Sequence, residues 1–132
     1  MKFVGRKETV FFPELEVGPI EAKIDTGAYG NAIHVDEAFV RDGSLRFSIG
    51  GKEHCFDRYK TVMVRSSNGY VQERYSVYLR MRLGGRCYKI KASLASRSEM
   101  RFPVLIGRRF LARFGFLVDV RKMDINDRAK AL

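Results

Sequence analysis

The sequence predicts an all-β domain on three observations. Apolar residues recur with a period of two, glycine-bearing turns separate the alternating runs, and only one short stretch carries helical spacing. In chain order, the first clean alternation sets Ile20, Ala22 and Ile24 against Glu21, Lys23 and Asp25, and this strand ends at Asp25. Leu45, Phe47 and Ile49 alternate next, Gly50-Gly51 turns the chain, and residues 53–56 return. Segments 59–65 and 70 onward flank Ser66-Ser67-Asn68-Gly69, whose Asn-Gly pair is a tight-turn signal. Tyr75, Val77, Leu79, Met81 and Leu83 then alternate with Arg74, Ser76, Tyr78, Arg80 and Arg82, giving a half-buried strand with a basic outer face. Gly84-Gly85 closes it into a hairpin with the run Tyr88, Ile90, Ala92 and Leu94. Residues 108–114 form the one predicted helix, with Phe110, Leu111 and Phe114 on one side and Gly115 as its stop. An apolar strand over 116–120 precedes a polar tail, 121–132, expected as a frayed end or an accessory contact. Seven or more short strands with a single helix near the C-terminus point to a barrel or sandwich, one domain over residues 1–120.

The 132 residues suit one hydrophobic core and leave no room for two domains of ordinary size. With 45% hydrophobic residues, the composition argues against global disorder. No apolar run approaches the roughly 20 residues that span a bilayer, and no apolar stretch follows Lys2, Arg6 and Lys7 as a secretory leader would require. A cytoplasmic chain with no membrane partner is expected, with Cys55 and Cys87 as free thiols. The 25 Lys plus Arg exceed the 15 Asp plus Glu, leaving a net charge of +10 that attracts polyanions.

The sharpest local sequence is Ala22-Lys23-Ile24-Asp25-Thr26-Gly27-Ala28. A strand fixes the Asp25 carboxylate, Thr26 can hydrogen-bond across the turn, and Gly27 leaves room for a substrate backbone. Alone, Asp-Thr-Gly is also an ordinary turn or helix N-cap. About eighty residues later, Phe102-Pro103-Val104-Leu105-Ile106-Gly107-Arg108 forms a second apolar strand that ends in Gly-Arg and leads into the predicted helix.

This pair of motifs resembles the retropepsin-like aspartic proteases, a resemblance that implies an acid-protease barrel in which the Gly-bearing strand threads beside the Asp-Thr-Gly loop. It makes Ile106, Gly107 and Arg108 structural neighbours of the site. Phe12-Pro13-Glu14-Leu15, Ala32-Ile33-His34, Val64 to Gly69, and Arg97 to Pro103 narrow it further. Together they are similar to a bacterial retropepsin-like family that carries the name ATP-dependent zinc protease, over residues 4–120. Members of that family are associated with enzymes that add glutamate to a ribosomal protein, or with related glutamate ligases. The chain itself has no phosphate-binding Gly-x-x-x-x-Gly-Lys-Ser/Thr loop and no His-Glu-x-x-His, so neither ATP nor zinc is expected as a cofactor. Two positions depart from the pattern: Asn31 stands where the family usually has Ser, and Tyr29 where viral retropepsins carry an Asp that pairs with the Arg of Gly-Arg. Arg108 therefore needs another partner, with Asp36, Asp119 or a neighbouring subunit as candidates.

Peptide hydrolysis by this route needs two carboxylates sharing a proton, and the chain has one Asp-Thr-Gly. A homodimer that brings Asp25 of each copy to a two-fold axis is thus expected. In it Thr26 and Gly27 support the site, Ala28 and Tyr29 meet the peptide or protein substrate, and the 59–70 strands offer a flap. An acidic or glutamate-tailed substrate would be attracted by Arg80, Arg82, Arg86, Lys89 and Lys91, which otherwise form a solvated basic face. The alternative is a noncatalytic dimeric module that binds an acidic partner, a ribosomal surface or RNA through those strands. RNA is the weaker form of it, because the strand aromatics fall mostly on the apolar alternation.

His54 and Cys55 are adjacent on a predicted strand and face opposite ways, which does not suit one metal ion. His34 reads as a buried, hydrogen-bonded histidine, and Ser66 and Ser67 as turn residues with no His-Asp pattern to activate them.

Overall fold

A computed structural model describes residues 1–65, 68–96 and 101–126. Its elements, in chain order, are β1 (Lys2–Val4), β2 (Lys7–Phe12), a 3-10 turn (Pro13–Leu15), β3 (Val17–Ile24), β4 (Asn31–Val35), β5 (Glu37–Arg41), β6 (Ser44–Ile49), β7 (Lys52–Phe56), β8 (Lys60–Arg65), β9 (Val71–Leu83), β10 (Arg86–Ser96), β11 (Val104–Ile106), α1 (Arg108–Arg113) and β12 (Phe116–Val118). The all-β expectation holds, with one short helix near the C-terminus.

Seven strands pair in the order β10-β4-β11-β3-β2-β9-β8, and β9 also pairs with β10, so the hydrogen-bonded order returns to its starting strand. The β9–β10 hairpin has the predicted register: Leu83 faces Arg86 across Gly84-Gly85, and Val77, Leu79, Met81, Tyr88, Ile90, Ala92 and Leu94 are all buried. Ile49 likewise faces Lys52 across Gly50-Gly51. β5, β6 and β7 form a separate three-stranded sheet whose Leu45 and Phe47 enter the common core.

Two strands lack a clean apolar alternation in the sequence for physical reasons. In β2 the buried positions are Glu8, Val10 and Phe12, so a carboxylate occupies a core site and hides the period of two. Edge strand β5 buries little, and its link to β6 is the two-residue turn Asp42-Gly43 with both residues at positive φ. The helix ends at Arg113 rather than Phe114, with Gly115 at φ 70 just beyond. A six-residue helix has little stability of its own. Burial of Phe110 and Leu111, and the edge contacts of Phe110, Phe114 and Phe116 with Tyr88, hold it in place. The last strand is shorter than expected, ending at Val118, and runs parallel to β1 with Phe3 beside Leu117.

Glu8 is fully buried and accepts hydrogen bonds from the backbone N–H groups of Gly5 (2.7 Å), Ile125 (3.3 Å) and Asn126 (3.0 Å). Residues 124–126 therefore lie against β2; residues 127–132, the rest of the segment expected as a frayed end or an accessory contact, lie outside the described part.

Candidate functional site

β3 delivers Asp25 to the surface from a buried base of Ala22 and Ile24. β11 runs parallel beside it, with Val104 against Ala22 and Ile106 against Ile24, and the Asp25 N–H donates to the Ile106 carbonyl at 2.8 Å. The chain then turns: Ala28 N–H bonds the Asp25 carbonyl (3.1 Å), and Gly27 N–H donates to Asp25 Oδ1 (3.0 Å). One carboxylate oxygen is thus held by the turn. A Cβ on Gly27 would stand 3.3 Å from that same oxygen, so glycine keeps its surroundings open. Asp25 and Ala28 are half-buried, whereas Thr26, Gly27 and Tyr29 are exposed.

Gly107, buried, threads through this loop as the motif pair implied. A Cβ there would fall on the Gly30 carbonyl oxygen and lie 2.8 Å from that of Ala28. Its N–H donates to Asn31 Oδ1 at 3.1 Å, while Asn31 Nδ2 donates to the Lys91 carbonyl at 3.0 Å. Asn31 therefore ties the loop, the Gly107 crossing and β10 together. The sequence marked it only as a departure from the family's Ser. Arg108 N–H and Arg109 N–H donate to the carbonyls of Ala28 (2.8 Å) and Tyr29 (3.1 Å), completing the seam between loop and helix.

Arg108 meets neither Asp36 nor Asp119, the two carboxylates of this chain expected as its partners. Asp36 Oδ2 accepts from Gly51 N–H at 3.1 Å. Asp119 is bonded by Arg121 at 2.9 Å through each oxygen, which brings its carboxyl down to about 2. Instead, Arg108 Nη1 donates to the Gly27 carbonyl (3.1 Å), and the guanidinium lies over the Tyr29 ring, 5.4 Å from its centroid. Arg109 packs on the same ring at 5.7 Å.

The β8–β9 hairpin is paired from Lys60 opposite Ser76 to Arg65 opposite Val71, with Met63, Tyr70 and Val71 exposed; Ser66 and Ser67 lie outside the described residues. His34 is half-buried, and its backbone N–H bonds the Pro103 carbonyl. Its Nε2 is enclosed without a hydrogen-bond partner among the described residues. His54 packs on Phe47 while Cys55 is exposed, so the two diverge, and burial with the Lys52 charge pushes the His54 pKa down. Among the described residues no three His, Cys, Asp or Glu side chains converge on a metal-sized site. No helix among them is long and apolar enough to cross a membrane. A surface depression of about 600 Å³ lies between β1, residues 125–126 and the β9–β10 turn, lined by Lys2, Tyr88 and Phe116 among others, and not by Asp25.

An Asp-Thr-Gly loop closed over a parallel Gly-bearing strand that leads into a short helix defines a retropepsin-like domain. The chain belongs to the RimB-like family, described as retropepsin-like aspartic endopeptidase RimB, whose model matches residues 3–129. Among curated proteins it is 27% identical over 124 residues to a Shewanella halifaxensis protein named probable alpha-L-glutamate ligase, an alignment covering 83% of this chain and 26% of the relative. A Desulfotalea psychrophila protein of the same name is 29% identical over 119 residues, covering 81% and 26%. The chain thus spans about a quarter of the length of these relatives. The crystal structure of Lpg0085, a Legionella pneumophila protein of unknown function, shares the fold with a TM-score of 0.73 at 24% identity, covering 96% of this chain and 98% of that one.

Proposed function

We propose that this chain is an aspartic peptidase that works as a homodimer, with Asp25 of two copies forming one catalytic dyad on acidic or glutamate-tailed protein segments. The observation that carries this reading is Asp25 itself: a carboxylate set at the end of a buried strand, with Oδ1 held by Gly27 N–H on an outward-facing loop. Family membership supports the peptidase class.

In the proposed chemistry the ionised carboxylate takes a proton from water while the water oxygen bonds to the scissile carbonyl carbon. The protonated partner gives its proton to the carbonyl oxygen. Collapse of the resulting diol breaks the C–N bond as the leaving nitrogen takes up a proton. Two like charges this close share one proton, so a single copy holds half the machinery. In this reading Thr26 braces the second loop, Ala28 and Tyr29 meet substrate and the β8–β9 hairpin covers it; the exposure of Thr26 and Tyr29 supports these roles.

The glutamate-ligase names of the relatives support the acidic substrate. They equally support a second reading, in which the domain binds an acidic tail without cutting it. Comparing wild type with Asp25→Asn on a glutamate-tailed peptide separates the two. The peptidase reading expects cleavage by wild type and a loss of about 10²–10⁴-fold in the variant. Equal rates in the two proteins would discard the dyad, and binding without cleavage by either would leave the binding module.

A further inference from the structure

We propose that the outer face of the β9–β10 hairpin is a binding site for single-stranded RNA, separate from the Asp25 loop. Tyr78, Arg80 and Arg82 on β9 and Arg86 and Lys89 on β10 are exposed, with Lys91 half-buried at the end of the same face. In the hairpin register Lys89 stands directly opposite Arg80, and Lys91 directly opposite Tyr78. Two cations placed opposite one another across strands repel, so this pairing opposes folding rather than favouring it. Only Arg80 among these cations has an ion pair among the described residues, with Glu14 at 3.4 Å. Elsewhere, Lys7 pairs with Glu21, Arg46 with Glu53, Lys52 with Glu16 and Arg121 with Asp119, while other exposed cations such as Lys60 and Arg109 have no ion pair among the described residues. What sets the hairpin face apart is the cross-strand stacking of its cations around one ring.

Charge alone would suit any polyanion, and the aromatic group decides which. The Tyr78 ring is 55% exposed in the middle of the cations, with the Lys89 ammonium 5.7 Å from its centroid. It departs from the inward-facing pattern used against RNA in the sequence, as Phe3 of β1 does away from this face. Tyr78, Arg80 and Lys89 also border a shallow depression of about 260 Å³, together with Leu79 and the Glu14 carboxylate that pairs with Arg80. An acidic peptide offers carboxylates to the cations but no flat apolar partner for the ring. A single strand of RNA offers both, phosphates for Arg82, Arg86, Lys89 and Lys91 and a base to stack on Tyr78. The face has no base-reading groove, so binding is expected to tolerate sequence.

Fluorescence anisotropy with a labelled oligouridylate, and in parallel with a labelled oligoglutamate peptide, tests this on the full chain. The oligouridylate should bind, and log K should fall against log salt with a slope of about −3, from about four phosphates neutralised. Tyr78→Ala should weaken binding roughly tenfold, and Lys89→Glu should weaken it and make the slope shallower. Bound RNA should also slow alkylation of the exposed Cys87 thiol, which lies opposite Arg82 on the same face. Tyr78 and Lys89 are exposed, so thermal melts should show both variants folded, with Lys89→Glu at or above wild type because the repulsion opposite Arg80 is gone. The proposal is overturned if the oligouridylate fails to bind at low salt or binds equally well to both variants. It is likewise overturned if the oligoglutamate binds more tightly and shows the same loss with Tyr78→Ala, which would make the face an acidic-peptide site.

Discussion

The Arg108 guanidinium lies over the Tyr29 ring at 5.4 Å while its Nη1 bonds the Gly27 carbonyl, so an aromatic ring does here what an aspartate does in viral retropepsins. The ring face attracts the cation, and the phenol hydroxyl has no part in the contact. Tyr29→Ala should therefore cost about 1 kcal/mol and lower the melting temperature by a few degrees, whereas Tyr29→Phe should melt with wild type. Thermal melts of the pair check this. Equal losses in the two variants would assign the effect to the hydroxyl.

Asn31 is the second support of the loop. Asn31→Ala leaves the buried Gly107 N–H without its acceptor and frees the Lys91 carbonyl, a loss of about 1–3 kcal/mol. The crossing it holds lies beside Asp25, so peptidase activity should fall by more than the change in folded fraction explains. Urea titration alongside a cleavage assay separates the two effects.

Glu8 gathers three backbone N–H groups from both ends of the chain. Glu8→Ala orphans all three and should cost about 3 kcal/mol or more, seen as a lower urea midpoint. Glu8→Gln keeps one acceptor oxygen and should fall between the two proteins.

These three contacts show where the sequence stops being legible. Asp25, Thr26, Gly27 and Gly107 are readable because each lies in a short motif whose residue types are set by local backbone demands. Asn31 and Gly107 are 76 residues apart, and Glu8 and Asn126 are 118 apart. Neither pair leaves a local spacing signal. Glu8 even obscures its own strand, since a carboxylate at a core position breaks the alternation that reveals β9 and β10. Charge alone offers Asp36 and Asp119 to Arg108, beside a neighbouring subunit, but local backbone and arginine donors engage both carboxylates.

His54 gives the pH dependence its sign. Burial beside Phe47, then the Lys52 charge, lowers its pKa in the folded state below the ordinary value of 6.5. The folded protein thus binds fewer protons than the unfolded chain, so this contribution is whole above pH 6.5 and is lost as pH falls through the folded pKa. Urea midpoints should drop on acidification from neutral pH, and His54→Gln should flatten that drop. A midpoint that rises on acidification in wild type, and does so less in the variant, would reverse the assignment.

The central claim is that one active site is made from two copies of Asp25. Calorimetric titration with a statine-type inhibitor, which mimics the tetrahedral diol, tests it most directly. The account predicts one inhibitor bound per two chains, and none bound by Asp25→Asn. One inhibitor per chain, or binding that survives Asp25→Asn unchanged, would contradict it.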